Sequence, residues 1–334
     1  MDELDEVTEG ERELVGLNDR AAIGSWLDQT LRRLVGAGLA RIDFVAGRID
    51  VVYGVTTDDG RALLVKVHRP PVDLAARRLV NEAQRAMAER GFPCAAPLAG
   101  PVELDGRTVS VETLLPDGER GDGHDPQIRA TMAAGLAEHV RILAAIPGFA
   151  DRVGEPPAWC VYQRGAWSAS HMSFFDFITT PAEYAWLQEF AQQAADRVVA
   201  ARKPGPLVVA HADWYGGNLR FAGHELVAAF DWDLLADTEP IVAGITAGMF
   251  SAGTALEMTP PAPDEVAGFL ADYEAASKRR FTAAERELAG AAACWSIAYT
   301  ARCDVTLCAG EAPRPHSALD LLATRRDDYR HLDW

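Results

Sequence analysis

Residues 211–218 read His-Ala-Asp-Trp-Tyr-Gly-Gly-Asn, and residues 228–233 read Ala-Ala-Phe-Asp-Trp-Asp. Each stretch runs on from a short apolar segment, PLVVA at 206–210 and LVAAF at 226–230, with the length and composition of a strand. The polar residues therefore sit where strands end. Asp213 and Asn218 lie five apart on a loop, and Asp231 follows 13 residues after Asn218 at the end of the next hairpin strand. Two carboxylates and an amide in this order can supply one base and two oxygen ligands for a hard cation such as Mg2+. That is the equipment of phosphoryl transfer, in which a metal neutralises phosphate oxygens while a carboxylate accepts the proton of an attacking hydroxyl.

His211, Asp213 and Asn218 also match the kinase catalytic-loop spacing H-x-D-x-x-x-x-N, with Asp231 where the metal-binding aspartate of kinases falls. The variant HADWYGGNL followed by FDWD resembles the aminoglycoside phosphotransferase and choline kinase-like family. The resemblance covers roughly 42–245 and implies an α+β, two-lobed protein-kinase-like fold, with a small antiparallel-sheet N-lobe carrying one main helix and a mostly helical C-lobe. It implies Asp213 as the catalytic base, Asn218 and Asp231 as Mg2+ ligands, and His211 as a loop-packing residue rather than a proton carrier. Asp233 is either a substrate carboxylate or an ordinary exposed acid.

Working toward the N-terminus, residues 42–68 read as three antiparallel strands with an Asp58-Asp59-Gly60 turn. Only three of the 32 basic residues are lysines, and one of them, Lys66, lies in the apolar strand LLVKV. An ammonium group there is costly unless it meets an anion, and a kinase's strand lysine meets the ATP phosphates. The helix expected over 73–90 presents Glu82 on the face of Leu79, Ala83 and Ala86, which makes Glu82 the expected partner of Lys66, ahead of Glu89. Gly47 and Gly54 bracket a turn expected over the phosphates, although no G-x-G-x-x-G is present. The strand 107–115 resembles a hinge in which the main chain of Glu112 to Leu114 would bind the adenine of ATP, with GTP equally compatible.

Toward the C-terminus the pattern is helical. Asp125-Pro126, Thr180-Pro181-Ala182-Glu183 and Thr282-Ala283-Ala284-Glu285 each read as a helix start. Trp295, Tyr299 and Arg302 share one helical stripe, which is either core or an acceptor platform, and the aromatic segment 155–180 is either a lid or a packed insertion. The expected divisions are an acidic arm with a helical extension (1–41), a nucleotide-binding N-lobe (42–115), an exposed connector (116–124) and a catalytic, acceptor-binding C-lobe (125–334).

Composition bounds the partners. A net charge of −17 repels phosphate backbones and anionic lipid, and no run of 18 apolar residues occurs, so neither nucleic acid nor a membrane is expected. The seven acids of residues 1–13 read as a solvated arm, and the acidic start, unlike a signal peptide, favours a cytoplasmic protein. Five spread cysteines without a CxxC pair suggest buried, reduced thiols. The expectation is an ATP-dependent phosphotransferase acting on a hydroxyl of a small molecule, such as a cationic aminoglycoside. The alternatives are a kinase of choline, an amino alcohol or a sugar, a non-catalytic nucleotide-binding relative, and a metal-dependent hydrolase using His211 and Asp213.

Overall fold

The computed structural model describes residues 6–47, 49–251, 259–308 and 310–334, which form two compact units, Met1–Pro116 and Asp117–Trp334. The first unit is built on a five-stranded antiparallel sheet in the order β1-β2-β3-β5-β4. Its strands are β1 (Leu39–Ala46), β2 (Val51–Thr57), β3 (Ala62–His68), β4 (Pro97–Leu104) and β5 (Arg107–Thr113). Side chains alternate across a pleated sheet, and here the alternation separates two kinds of chemistry. Val51, Tyr53, Val55, Leu63, Val65, Val67, Val109 and Val111 are buried together with Ile23, Trp26, Leu27 and Leu31 of helix α2 (Arg20–Val35). The intervening positions include Lys66, His68, Ser110 and Glu112. Helix α3 (Leu74–Ala88) packs against β4, and the Asp73 carboxylate caps it by accepting from the Ala75 and Ala76 N–H groups.

Over its described length the acidic start leaves Glu6, Glu9 and Glu13 exposed, as a solvated stretch would, but it is not a free arm. Thr8 and Glu11 form a capping box on the short helix α1 (Glu9–Leu14), and Glu11 is fully buried. Its carboxylate accepts two hydrogen bonds from the Arg20 guanidinium, one at 3.1 Å, and one from Thr8 N–H at 2.8 Å. Glu13 pairs with Arg69 on the surface. Like charge along the chain does not predict exposure where an acid, as Glu11 does, meets a partner from another element. Asp2, Glu3 and Asp5 lie outside the described residues.

The second unit contains α4 (Pro126–Ala144), α5 (Ala185–Ala201), β6 (Leu207–His211), β7 (Leu219–Ala222), β8 (Glu225–Ala229), β9 (Leu234–Thr238), α6 (Glu239–Ala247), α7 (Pro263–Ser277), α8 (Ala283–Cys308) and α9 (Ala318–Arg330). β6 pairs antiparallel with β9 and β7 with β8, so the two motif strands belong to two separate ribbons. α8 is the axis of this unit, touched by α5, α6 and α9, and from Leu288 to Val305 every residue except Thr300 is buried. Against α6 the approach is backbone to backbone. A Cβ on Gly244 would stand 2.2 Å from the Ala289 carbonyl oxygen, and one on Gly248 2.6 Å from that of Ala293. The capping box at Thr282 and Glu285 forms, whereas the 180–183 signal opens as a 3-10 turn (Ala182–Tyr184) before α5. The connector is not wholly exposed, because Gly123 is buried, and it is tied down where the exposed Glu119 exchanges main-chain hydrogen bonds with Phe221 at 2.9 and 2.8 Å. No helix among the described residues is long and apolar enough to cross a membrane.

Burial alone would raise the Glu11 pKa, but the Arg20 and Thr8 hydrogen bonds hold it below the ordinary value. A folded-state pKa below the unfolded one contributes stability above the unfolded value, and that contribution disappears as pH falls through the folded value. Glu11→Gln is therefore expected to cost about 2–3 kcal/mol in denaturant unfolding at neutral pH, less than a fully buried pair because Arg20 stays 21% exposed. The variant should also lose less stability than the wild type on acidification. Parallel pH–stability curves would show that Glu11 is not charged in the fold.

Candidate active site

The loop after β6 is organised by one imidazole. His211 is buried, its Nε2–H donates to the Phe230 carbonyl at 2.7 Å, and its Nδ1 accepts from the Asp213 N–H at 3.1 Å. These partners fix the tautomer, and burial lowers the ring's pKa to about 4, the Phe230 bond opposing. A neutral imidazole thus ties the main chain of Asp213 to the residue before Asp231. The Ala212 N–H, donating to the Asp233 carbonyl at 2.8 Å, makes a second tie. The rings of Trp214 and Trp232 pack against His211.

Asn218 closes the loop. Its Nδ2 donates to the Asp213 main-chain oxygen at 3.0 Å and to Asp213 Oδ2 at 2.7 Å, and its own carbonyl accepts from the Phe230 N–H at 2.9 Å. With both donations directed at Asp213, the amide oxygen Oδ1 is left as an acceptor. Burial pushes the Asp213 carboxyl up to about 7, the Asn218 bond opposes this, and the charges of Asp233 and Asp231 add to it. Asp231 itself is exposed and adopts φ of +51°. Aspartate is among the few side chains that tolerate the left-handed region, and such backbone conformations are found where surrounding structure enforces them. His211 and Asn218 grip the preceding residue here, so the structure brings Asp213, Asn218 and Asp231 together. Among the described residues no group of three or more His, Cys, Asp or Glu side chains is arranged to hold a metal by itself.

In the first unit Lys66 makes an ion pair with Glu112, a carboxylate the sequence did not single out as its partner. Glu82 lies half-buried on α3, and Gln84 of the same helix has its Nε2 3.5 Å from Glu112 Oε2. The main chain of Glu112 to Leu114 is also not a free edge. β5 lies between β3 and β4, the Thr113 N–H donates to the Ala96 carbonyl, and the Leu114 N–H donates to the Ala62 carbonyl. Gly47 turns the chain between β1 and β2 with φ of +118°, and Asp50 anchors that turn to the His68 ring and the Arg69 N–H.

Trp295, Tyr299 and Arg302 are 0%, 3% and 1% exposed, so they form no acceptor platform. They hold down the 155–180 segment. Trp295 Nε1 donates to the Gly165 carbonyl at 3.1 Å, the Tyr299 hydroxyl accepts from the His171 N–H at 3.1 Å, and Arg302 donates to the carbonyls of Asp176 and Thr179. Of the acids beyond Asp231, Asp233 is half-buried, Asp237 is buried against Arg202 and Tyr162, and Glu239 pairs with Arg279 and Tyr273. The sequence reading missed Trp159, whose Nε1 donates to the Ala212 carbonyl at 3.1 Å, one residue from Asp213. It is one of several aromatics in a loop without periodicity, so nothing local singled it out. All five cysteines are free thiols, four of them buried.

Residues 42–276 match the phosphotransferase enzyme family APH, and the chain belongs to that family. It is a small-molecule phosphotransferase with a hydroxyl acceptor. No curated protein matches it. Among solved structures, amicoumacin kinase hAmiN in complex with AMP-PNP, Ca2+ and Ami is similar at 11% identity and a TM-score of 0.60, covering 90% of this chain and 92% of that one. A choline/ethanolamine kinase family protein from Mesorhizobium loti is similar at 15% identity and TM-score 0.53, covering 92% and 98%. The macrolide 2'-phosphotransferase MphH from Brachybacterium faecium follows at 18% and 0.51, covering 90% and 98%. These likenesses establish the protein-kinase-like fold.

Each charge-assisted bond from Arg302 to a carbonyl is worth about 1.5–3 kcal/mol, and the guanidinium also lies 4.9 Å over the Phe177 ring. Arg302→Met should therefore open the 170–180 stretch to chymotrypsin at least roughly tenfold faster than in the wild type. Fragment masses ending at Phe174, Phe175 or Phe177 would report it. An unchanged cleavage rate would mean that other contacts hold the segment.

Proposed function

We propose that this protein transfers the γ-phosphoryl group of ATP to a hydroxyl of a cationic small molecule in the cytoplasm. An aminoglycoside-like antibiotic is the first acceptor class to test, and an amino alcohol such as choline or ethanolamine the second. The observation that carries the reading is the Asp213–Asn218–Asp231 arrangement. Asp213 accepts the proton of the acceptor hydroxyl, whose oxygen forms the new bond to the γ-phosphorus as the bond to the β–γ bridging oxygen breaks and ADP departs. A carboxyl held at about 7 is suited to this work, because a base is most effective near the operating pH. Asn218 Oδ1 and the exposed Asp231 carboxylate would hold Mg2+, which neutralises phosphate oxygens. Two protein oxygen donors suit an ion that completes its octahedron with phosphate and water. They do not suit a zinc hydrolase, which needs three or four protein ligands. Lys66 would contribute the cation that meets the nucleotide phosphates.

The acceptor class is supported by the net charge of −17 and by Asp233 beside Asp213, while Asp237 and Glu239 are spent on arginines. An antibiotic kinase and a choline/ethanolamine kinase family protein among the structural neighbours support both named classes.

The test is incubation with Mg·ATP, and separately Mg·GTP, against aminoglycosides, amicoumacin, macrolides, choline, ethanolamine and sugars, with the phosphorylated product read by mass spectrometry. Asp213→Asn should reduce turnover on the identified acceptor by about 10²–10⁴ while retaining AMP-PNP affinity and melting temperature. Near wild-type turnover in that variant would remove the assignment of the base. For a cationic acceptor, KM should rise clearly between about 0.01 and 0.15 M salt as the screening length contracts from roughly 30 to 8 Å. A KM indifferent to salt would remove the cationic class.

A further inference from the structure

We propose that Asp50 and His68 form a latch that holds the β1–β2 turn to the strand bearing Lys66, which makes Asp50 a positioning residue for the nucleotide phosphates. The inference rests on the reading of Lys66 and this turn as parts that meet those phosphates. Asp50 immediately precedes β2, and the antiparallel register of β2 with β3, Val51 opposite Val67 and Val52 opposite Lys66, brings it across from His68. Its Oδ2 accepts from His68 Nδ1–H at 2.7 Å and its Oδ1 from the Arg69 N–H at 2.9 Å. The Arg69 side chain returns to the turn, its Nε–H donating to the Ile49 carbonyl at 3.0 Å. These hydrogen bonds join two consecutive residues of the turn to His68 and Arg69 at the end of β3.

The ring is itself held. A carboxylate only accepts, so the bond to Asp50 uses a proton on Nδ1, and Nε2 meets the Ser110 hydroxyl of β5 at 2.8 Å. His68 is 7% exposed and lies two residues from Lys66, hence on the same face of the sheet, while Ser110 stands directly opposite Lys66. The turn is therefore keyed to the strand and the face that carry the lysine. Packing adds little on the α1 side, where a cavity of about 320 Å3 lined in part by Glu9, Glu13, Val45, Gly47 and Ile49 lies between the helix and the turn. The Glu13–Arg69 pair beside it is of the weak, partly exposed kind. Burial alone would raise the pKa of Asp50, but the His68 and Arg69 bonds, aided by the Arg77 charge, hold it below the ordinary value, so the carboxylate stays ionised and accepts from both. A turn kept in one shape before nucleotide arrives avoids the ordering entropy that a loose turn loses on binding.

The test uses Asp50→Ala, Asp50→Asn and His68→Phe in the full chain. Asp50→Ala and His68→Phe should each weaken Mg·AMP-PNP binding, measured by calorimetry, by roughly tenfold, and should speed amide exchange at the turn and at Arg69 in the free protein by at least as much. With an identified acceptor, KM for ATP should rise while KM for the acceptor does not. Asp50→Asn should bind within about threefold of the wild type, because an amide can donate to Nδ1 while the ring takes its other tautomer and donates to Ser110 from Nε2. Glu11→Gln is the control, since it destabilises the same unit without touching the latch, and should leave Mg·AMP-PNP affinity unchanged. Equal losses of affinity in Glu11→Gln and Asp50→Ala would reduce the latch to a general stability effect and overturn the proposal, as would an Asp50→Ala variant whose affinity or amide exchange matches the wild type. If the wild type binds neither Mg·AMP-PNP nor Mg·GMP-PNP, the nucleotide reading fails instead, while amide exchange still decides whether Asp50 and His68 hold the turn.

Discussion

The site depends on a neutral imidazole held between two main-chain groups. His211 joins the Asp213 N–H to the Phe230 carbonyl, and the loop and the β8–β9 turn can take no other relative position while both bonds stand. A charged imidazole could not accept from the Asp213 N–H, so burial that keeps the ring unprotonated is part of the geometry. Asn218 adds a brace from the other side. Together they enforce the left-handed conformation of Asp231, a cost borne locally and offset by the packing of Trp214 and Trp232.

The first unit solves a related problem by a different means. A charged group on a strand must be kept from the apolar core, and the pleat does this by sending Val65 and Val67 to the α2 side and Lys66 to the other. The same alternation puts Glu112 on the lysine's face.

What could be read in advance follows from the range of the signals. The His211–Asn218 loop, Asp231, the β1–β3 meander and the Asp73 cap are local, and residue type with spacing is sufficient. Lys66 stood out because an ammonium in LLVKV has to be compensated. Its contact with Glu112 did not, since a contact between strands depends on register and Glu112 lies 46 positions along the chain. The burial of Glu11 was hidden for the same reason, its compensation coming from Arg20 in a separate helix. The Trp295–Tyr299–Arg302 stripe was visible as a stripe but not as core, because a helix buried on every side offers no polar face for contrast.

The contact between α6 and α8 bears on how such an enzyme can diversify. With Gly244 and Gly248 against the carbonyls of Ala289 and Ala293, any side chain beyond hydrogen at either glycine must push two backbones apart. That seam is closed to gradual substitution. The 155–180 segment, by contrast, is fastened to α8 at a few points, between which Phe174 and Ile178 stand exposed. Inherited change that leaves those fastenings intact can alter its surface freely, so variation among descendants of this chain should accumulate in the strap and spare the seam.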